Sequence, residues 1–556
     1  MKVNACLPLT TLLASVAAHS CSLKSLQSVL DTVSTTLNSN GTVSYNATAD
    51  YAYLLDTSEA QLAFETDVID QTVWEGVYNY TPCALRVDVT TSEGANFSFG
   101  AYLPSTWNQR LIAVAPSGGI DWKAASHALR YGGAAVIGTN NGHDMLDFEA
   151  AWVTGENALL DFGWRATHET TVVGKALIAA WYGTSSAYNY FTGCSNGARH
   201  AFKQLQSFPE DFDGVMAGSP AWWTTRQQLW NLKQTTYQAP ANSSHTIPEA
   251  LFSVISDEVL RQCDPQDGVV DKVVSDPVGC NLDLTTLLCD SSDSTQCLTK
   301  EQLGTWAKLY SDWVDVNQTW VFSHALPGSE DMWSNQIGQG GEETIESQYW
   351  YIQNLLGLAN FTWEDLTYDT VLLSDSLDPG NASATDFDLS PFYNRGGKLI
   401  HWHGLSDATV PPGGSVYFRD NVYESTARQG SSIDDFYRMF LVPGLEHCSG
   451  TPSNQDAAWY IAGPSQASYW TSLPPNPVDD AHHDSMLALM DWVEQGNAPE
   501  YLVYANYMNN SNPVELKKTR KVCPYPQQAK FIGNNTSEVD SHEDNWKFDT
   551  LLNSYG

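Results

Sequence analysis

The sequence predicts an α/β protein in which a large inserted segment interrupts a sheet-forming core. Strand and helix signals alternate between about residues 84 and 220, the alternation stops between about 224 and 390, and strand signals return near residues 398 and 438. Alternating strands and helices are typical of a doubly wound sheet covered by helices. A chain of 556 residues is also long enough to bury a large core.

The strands of this core are predicted from short apolar runs. A short, continuous apolar run indicates a strand that is buried on both faces, as in a parallel sheet. Such runs occupy residues 110–115, 134–138 and 214–218 before the insertion, and 398–402 and 438–442 after it. Residues 169–182 carry apolar side chains at helical spacing, so we expect a helix there.

The inserted segment differs from the core in composition. Residues 224–390 contain four cysteines and many tryptophans but little strand periodicity, which indicates an inserted helical domain, or lid. Near the end of the core, we expect a helix that Ser485 caps and Gly496 ends. The predicted organisation is a signal peptide at 1–18, a core formed by 19–223 and 391–556, and a lid formed by 224–390.

The N-terminus has the features of a secretory signal. Lys2 precedes an apolar run from Leu7 to Val16, and small residues follow, so we expect cleavage after Ala18 and secretion of the mature chain. No segment reaches the ~18 continuous apolar residues of a membrane span. Ten Asn-x-Ser/Thr sequons, which are acceptors for N-glycans in secreted proteins, begin at Asn40, Asn46, Asn96, Asn242, Asn317, Asn360, Asn381, Asn509, Asn534 and Asn535.

The charge balance narrows the choice of partners. The chain carries 64 acidic against 27 basic residues, a formal net charge of −37. Such a surface repels nucleic acid and anionic membranes, so we expect neither as a partner. The same balance fits a protein that works in acidic surroundings, and it fits a simple need for solubility equally well.

One short stretch has the pattern of a nucleophile elbow. An aromatic strand leads into Gly193-Cys194-Ser195-Asn196-Gly197, and an amphipathic helix follows. In the strand–Gly-x-Ser-x-Gly–helix arrangement, the serine hydroxyl is held above the sheet at a helix N-terminus. The amides of that terminus can stabilise an oxyanion. Ser195 is therefore the candidate nucleophile.

An acid and a histidine follow the elbow in the chain order that an α/β-hydrolase requires. Asp407 lies in the loop after the strand at 398–402, and His447 lies in the loop after the strand at 438–442. Cys194 directly precedes Ser195, and Cys448 directly follows His447. A Cys194–Cys448 disulfide would hold the Cα atoms of Ser195 and His447 within roughly 13 Å of each other.

This constellation resembles that of the tannase and feruloyl esterase family of secreted serine esterases, whose signature is Cys-Ser … Asp … His-Cys. The resemblance covers most of the mature chain and looks closest to fungal feruloyl esterases of the B type. Asn196 and Ala198 depart from the Thr and Gly that the family usually shows there. The matching segments are GTNNGHD at 138–144, DFGWR at 161–165, His168-Glu169, FPEDFDG at 208–214, DWVEQG at 491–496 and CPYP at 523–526.

The resemblance implies a fold and a set of roles. It implies an α/β-hydrolase core with a large inserted lid, Ser195 as nucleophile, His447 as general base and Asp407 as its partner. The oxyanion hole is expected to combine the Asn196 amide with that of Gly118 or Gly119, in the turn that follows the strand at 110–115.

A second candidate site lies in the lid. Three carboxylates within eight residues, with a glycine for the bend, suit a hard cation. An acidic turn without a metal, in an acidic protein, would give the same sequence pattern. The stretch resembles the family's calcium loop. That resemblance implies a structural Ca²⁺ held by the side chains of Asp264, Asp267 and Asp271 and the carbonyls of Val269 and Val273.

The cysteines of the mature chain are odd in number. Of the ten cysteines, Cys6 lies in the signal peptide, which leaves nine. Secretion makes disulfides the default, and an odd number leaves one thiol over. Beside Cys194–Cys448, we expect Cys263–Cys280 to close the calcium loop, Cys289–Cys297 as the next pair, and Cys21–Cys83 to fix the N-terminus. Cys523 would then be unpaired, as a free thiol or in an intermolecular disulfide.

Three functions remain open at this stage. The first is an esterase that releases ferulate and related hydroxycinnamates from plant cell-wall polysaccharide or from small esters. The second is a tannase that cleaves galloyl esters with the same residues. The third, from another class, is a secreted wall-binding protein that has lost activity. Lid side chains decide between ferulate and gallate, and their spacing in the sequence does not identify them.

Overall fold

The structure is a computed structural model that describes residues 19–55, 81–115, 119–143, 151–290, 296–338, 345–461, 463–467, 480–508, 515–533 and 546–550. The predicted α/β class is confirmed. One mixed sheet of nine strands forms the centre, and helices cover it.

The central sheet has the spatial order β1-β2-β3-β5-β4-β6-β7-β10-β11. Strands β5, β4, β6, β7, β10 and β11 are parallel, and β1, β2 and β3 are joined antiparallel. Its strands are β1 (Tyr45–Leu54), β2 (Pro82–Thr91), β3 (Asn96–Pro104), β4 (Arg110–Val114), β5 (Ala135–Thr139), β6 (Tyr188–Cys194), β7 (Gly214–Gly218), β10 (Lys398–Gly404) and β11 (Tyr437–Val442).

The five apolar runs of the sequence coincide with strands of the parallel part, and the fully buried strands β5 and β7 show why. A strand that is covered on both faces needs apolar residues at every position. The N-terminal part differs from the prediction, because the alternation of strands and helices begins only at β4. Before it, helix α1 (Leu23–Asn40) packs on the antiparallel strands, and the Cys21–Cys83 disulfide joins its start to β2.

The remaining α-helices of the core lie against the sheet or close its ends. The expected helix at 169–182 begins earlier and runs on from a π-helical turn, Asp161–Arg165. These helices are α2 (Trp122–Ala128), α3 (Glu156–Leu160), α4 (Ala166–Tyr182), α5 (Asn196–Ser207), α11 (Ser390–Asn394), α12 (Gly413–Arg428), α13 (Pro464–Ala467) and α14 (Ser485–Gln495), with a 3₁₀ turn at Ile433–Asp435.

The segment 224–390 is helical but contains one small hairpin, β8 (Trp313–Val314) with β9 (Trp320–Phe322), which the sequence did not indicate. Its apolar residues form two clusters, around Trp230 and Trp306, which also include Phe162 and Ala408 from outside the segment. The helices are α6 (Thr224–Thr236), α7 (Phe252–Cys263), α8 (Lys300–Leu309), α9 (Trp333–Gln336) and α10 (Tyr368–Leu377). The 3₁₀ and π turns are Glu249–Leu251, Asp264–Asp267, Leu284–Leu287, Glu330–Met332, Tyr351–Leu355, Trp363–Asp365 and Pro379–Asn381.

The C-terminal part contains two small antiparallel sheets that the sequence analysis missed. They pair β12 (Leu502–Tyr507) with β13 (Leu516–Val522), and β14 (Gln527–Phe531) with β15 (Trp546–Thr550). Helix α14 ends at Gly496 as expected, but the expected cap was wrong. Asp484, not Ser485, accepts hydrogen bonds from the first-turn amides, because its carboxylate reaches two of them. Among the described helices, none has the length and apolar character of a bilayer span.

Candidate active site

The backbone at Ser195 has the strained geometry of a nucleophile elbow. Ser195 lies between the end of β6 and the start of α5, with φ 60° and ψ −122°. Its amide donates to the Gly218 carbonyl of the neighbouring strand at 2.9 Å. Strained backbone of this kind is costly and persists only where the surroundings hold it. Here the parallel strand pair β6–β7 and the helix that follows hold it.

The glycine at 193, two residues before Ser195, is required by close packing. A Cβ on Gly193 would lie 2.6 Å from the Gly197 carbonyl carbon and 2.8 Å from the Ala115 Cβ. A side chain at Gly193 would therefore push the elbow apart. The motif thus has a steric cause in this fold.

Asp407 is completely buried after β10 and is fixed by hydrogen bonds on both carboxylate oxygens. Its Oδ1 accepts the backbone amides of Thr409 and Val410, each at 2.9 Å, and its Oδ2 accepts Nδ1 of His447 at 2.7 Å. Burial alone would raise the pKa of Asp407, but the His447 charge and the histidine hydrogen bonds hold it well below its usual range. The carboxylate is therefore ionised and oriented toward His447.

The loops that carry Asp407 and His447 are joined through their backbones. The Leu445 carbonyl accepts the Ser406 amide at 3.0 Å. A Cβ on Gly404 would lie 2.1 Å from that same carbonyl oxygen, so only glycine allows the approach. This contact brings the end of β10 against the loop after β11 and sets the distance between the acid and the histidine.

The structure contains the Cys194–Cys448 disulfide, with the two Cα atoms 6.0 Å apart. Adjacent Cα atoms are about 3.8 Å apart, so the Cα atoms of Ser195 and His447 are within about 14 Å of each other. Among the described residues, no hydrogen bond joins the Ser195 hydroxyl to His447. Hydrogen bonds of this kind are often long in ligand-free enzymes and tighten when substrate binds.

The oxyanion residues are only partly described. Asn196 is the first residue of α5, so its backbone N–H has no partner within the helix and remains available at the elbow. Gly119 lies in the turn before α2, whereas Gly118 lies outside the described residues. The sequence analysis missed Arg199, which is buried and donates from Nε to the Asn196 Oδ1 at 2.8 Å. Arg199 could have been found from the sequence as a basic residue one helical turn after the nucleophile.

The acidic loop in the segment 224–390 is held in shape by hydrogen bonds to one of its carboxylates. Asp264 Oδ1 and Oδ2 accept the amides of Asp271 and Lys272 at 3.0 and 3.1 Å. Burial raises the pKa of Asp264, and it raises the pKa of Asp267 to about 6. Val269 and Val273 are also buried in this loop. The loop therefore gathers oxygen atoms away from water, as a cation site requires.

Two oxygen atoms of this loop, Asp267 Oδ2 and Asp271 Oδ1, are buried without a hydrogen bond, but both carboxylates pair with Arg520. Nη2 of Arg520 lies 3.8 Å from Asp267 Oδ2, and Nη1 lies 3.1 Å from Asp271 Oδ2. No cluster of three or more acidic, histidine or cysteine side chains suited to a metal occurs among the described residues. The carboxylates of Asp264, Asp267 and Asp271 and the backbone carbonyls are oxygen donors of the kind that a hard cation prefers, and a bound Ca²⁺ would share two of these carboxylates with the Arg520 guanidinium.

The other expected disulfides, Cys263–Cys280, Cys289–Cys297 and Cys21–Cys83, are also present. Cys263–Cys280 closes the acidic loop. Cys523 is unpaired and buried, and burial raises the pKa of its thiol to about 12. A buried, protonated thiol is a poor nucleophile, so Cys523 is not suited to an intermolecular disulfide.

Comparison with known proteins identifies relatives over most of the chain. The sequence profile of the family described as "Tannase and feruloyl esterase" matches residues 84–545. A probable feruloyl esterase B-1 of Aspergillus fumigatus is 32% identical over 456 residues, which cover 81% of this chain and 83% of that protein. A probable feruloyl esterase B-1 of Neosartorya fischeri is 31% identical over 481 residues, covering 86% and 88%.

Solved structures share the fold. The crystal structure of feruloyl esterase B from Aspergillus oryzae has a TM-score of 0.79 and 27% identity, and the match covers 94% of this chain and all (100%) of that one. Tannin acyl hydrolase from Aspergillus niger has a TM-score of 0.72 at 20% identity, covers 97% of each chain, and shows likeness of fold alone. On the extent of these matches, the chain belongs to the tannase and feruloyl esterase family.

Proposed function

We propose that this protein is a secreted feruloyl esterase, a serine carboxylic ester hydrolase with an α/β-hydrolase core and an inserted lid. The observation that carries the proposal is the Asp407–His447 hydrogen bond of 2.7 Å next to a strained serine elbow. The Cys194–Cys448 disulfide links His447 covalently to that elbow. A paired histidine and carboxylate next to such a serine are the groups that catalyse acyl transfer. The relatives named feruloyl esterase B supply the substrate class.

The proposed reaction proceeds through an acyl-enzyme. His447 takes the proton of Ser195 as the oxygen attacks the ester carbonyl, and the proton then passes to the leaving alcohol. Water, deprotonated by His447, releases the hydroxycinnamate in the second half. Asp407 keeps Nδ1 of His447 protonated and stabilises the imidazolium, since its pKa stays low enough to remain charged. The Asn196 amide and an amide of Gly118 or Gly119 would bind the oxyanion.

Secretion is part of the proposal and rests on several features. The N-terminal sequence has a signal-peptide pattern, and four disulfides are typical of an oxidising compartment. The side chains of the described sequon asparagines are exposed, as glycosylation requires, at Asn46, Asn96, Asn242, Asn317, Asn360 and Asn381.

The calcium site of the lid is likewise a proposal. The side chains of Asp264, Asp267 and Asp271 and the carbonyls of Val269 and Val273 would hold the ion. Two buried carboxylate oxygens without a hydrogen bond, in a loop that a disulfide closes, support it. The ion would neutralise the acidic loop and brace the lid, and it takes no part in the chemical steps.

A substrate panel tests the proposed function. The purified protein is assayed on methyl ferulate, methyl caffeate and methyl gallate at equal concentration. We expect kcat/KM to be highest for a hydroxycinnamate, because the matched relatives are named feruloyl esterase B. The panel separates the two activities, since a hydroxycinnamate with its vinyl spacer needs a longer and more apolar pocket than a galloyl ring. A preference for methyl gallate would identify a tannase. Absence of hydrolysis on all three, with binding to plant cell walls, would indicate the inactive wall-binding protein.

A further inference from the structure

A buried chain of polar side chains leads away from the carboxylate of Asp407. Its consecutive heavy-atom distances are 3.2, 2.6, 2.9 and 2.7 Å, and every member is at most 3% exposed. In order, the members are Asp407 Oδ2, His403 Nε2 and Nδ1, Ser415 Oγ, His401 Nε2 and Nδ1, and the Tyr437 hydroxyl.

The fold produces this chain from three neighbouring elements. His401 and His403 alternate on β10, so both side chains emerge on the same face of the sheet. Ser415 lies in the first turn of α12, which covers that face, and its hydroxyl lies between the two imidazoles. Tyr437 is the first residue of the adjacent strand β11. Two histidines at alternate positions of an otherwise apolar strand were the signal in the sequence.

The acceptors fix the direction of every hydrogen bond. His403 Nε2 faces two acceptors, the Val410 carbonyl at 2.7 Å and the ionised Asp407 at 3.2 Å, so this nitrogen carries a hydrogen. For the tautomer that carries its hydrogen on Nε2 alone, Nδ1 is an acceptor, and Ser415 donates its single hydrogen to it.

The same logic continues to the outer end. Ser415 has no second hydrogen, so His401 Nε2 donates to it, and His401 Nδ1 accepts from Tyr437. Burial holds the pKa of His401 well below its usual value, which keeps this ring neutral. All donors therefore point from Tyr437 toward Asp407, and bonds aligned in this way polarise one another.

We propose that this chain is a positioning device for Asp407, with His403 as the positioning residue and Tyr437 as the donor at its outer end. The inference rests on the proposed function, in which Asp407 orients His447. His403 Nε2 donates to the Val410 carbonyl and lies 3.2 Å from Asp407 Oδ2, the oxygen that accepts from Nδ1 of His447. Its N–H dipole therefore draws negative charge away from the side facing His447 and limits rotation of the carboxylate. The four residues of the chain beyond Asp407 are buried, so they would act on the reaction through Asp407.

Other charges near the two ends have to be considered. At the inner end, Glu446 precedes His447. Burial, followed by the nearby charges of Asp331 and Asp407, raises the pKa of Glu446 to about 8. At the outer end, the charges of Arg419 and Asp420 lie close enough to the Tyr437 hydroxyl to influence its pKa. All of them remain in the variants below, so their contribution is common to every comparison.

The test compares His403→Phe, Tyr437→Phe and the double variant with the wild type. Two readouts are used: kcat and KM against pH on methyl ferulate, and the titration midpoint of the His447 imidazole in the free protein by NMR, which needs no substrate. Loss of the His403 N–H concentrates charge toward His447 and favours the imidazolium. We expect the midpoint and the acidic limb of kcat/KM to move upward by roughly half a pH unit.

The other expectations separate positioning from general damage. In His403→Phe, kcat should fall about tenfold with KM within about twofold, and His403→Gln, which keeps an N–H donor, should recover part of the loss. Tyr437→Phe should shift the midpoint in the same direction by less, and it should add nothing once His403 is absent. The control is Tyr182→Phe, whose hydroxyl donates to the Pro104 carbonyl outside the chain; it should shift nothing.

Unchanged midpoints in folded variants would overturn the inference while leaving the proposed function intact. If His403→Phe does not fold, Tyr437→Phe decides alone. A wild type that hydrolyses no ester would contradict the proposed function, and the NMR midpoints would still test the chain.

Discussion

Cys194 and Cys448 are joined by a disulfide with their Cα atoms 6.0 Å apart, and each adjoins a residue of the proposed triad. A staple that acts only on the unfolded chain would raise stability and leave turnover unchanged. This disulfide also fixes the position of His447 relative to Ser195. A displacement of ~1 Å between such groups can cost about a hundredfold in rate.

We therefore expect the double variant Cys194→Ala/Cys448→Ala to lose kcat as well as stability, when assayed well below its melting temperature. The matched control is Cys289→Ala/Cys297→Ala, which removes a disulfide of the lid. It should lower the melting temperature with little change in kcat. Wild-type turnover in the first variant, with only an earlier melt, would show that the disulfide is a staple alone.

The glycine at 404 is predicted to be needed for catalysis through sterics. In Gly404→Ala the new methyl group would lie 2.1 Å from the Leu445 carbonyl oxygen, so the loops of Asp407 and His447 must separate. We expect a loss of about 1–3 kcal/mol in the free energy of unfolding and a fall in kcat of at least tenfold.

Gly304→Ala serves as its control, because it lies in helix α8 with no atom within 4 Å of the added Cβ. This change should stabilise the protein by about 0.5–1 kcal/mol, by helix propensity, and leave kcat unchanged. Equal activity of the two variants, measured by kcat and urea unfolding, would refute the steric account.

Glu330 is predicted to make the protein less stable as the pH rises from 4.5 to about 7. It is completely buried in the lid, accepts hydrogen bonds from Tyr310 and Gly328, and has a second oxygen without a partner. Burial raises its pKa from 4.5 to about 7. The unfolded chain releases this proton near pH 4.5 and the folded chain only near pH 7, so folding loses stability as pH rises through that window.

By pH 8 the free energy of unfolding falls by at most about 3 kcal/mol on account of Glu330, since one pKa unit corresponds to 1.36 kcal/mol. Glu330→Gln resembles the protonated acid and should reduce the fall in melting temperature between pH 5 and pH 8. Glu364→Gln, on the exposed surface of the lid, is the control. An identical fall in wild type and Glu330→Gln would contradict the assignment.

Removal of calcium is predicted to destabilise the lid. A chelator should lower the melting temperature, and elemental analysis should find calcium in the untreated protein. Asp267→Asn should melt like the chelated wild type and no longer respond to the chelator. Asp283→Asn is the control, because Asp283 caps the neighbouring 3₁₀ turn outside the loop. No calcium by elemental analysis and no effect of the chelator would exclude the site.

The sequence predicted the features that depend on local chemistry. Apolar runs revealed the buried strands, and Gly193-Cys194-Ser195-Asn196-Gly197 revealed the elbow, because steric requirements at Gly193 leave few residue choices. The small strands β12 to β15 were missed because their residues alternate too little for a clear pattern. The N-cap of α14 was placed one residue late, since Asp484 and Ser485 are both good caps and only geometry distinguishes them.

The supports of the site could not be predicted, because they join residues that are distant in sequence. The Arg199 guanidinium binds carbonyls of Phe162, Gly163 and Ala382 beside Asn196. The contact of Gly404 with Leu445 depends on how two loops pack. Single residues of these types are common, and only the fold shows that they meet.

The most direct test of the central claim is the turnover of purified Ser195→Ala on methyl ferulate. The matched control is Ser219→Ala, which removes a buried hydroxyl without a hydrogen-bond partner just after β7. The account predicts that kcat of Ser195→Ala falls by at least about a thousandfold with an unchanged melting temperature, while Ser219→Ala retains wild-type turnover. Turnover of folded Ser195→Ala above about a thousandth of the wild-type rate would contradict it.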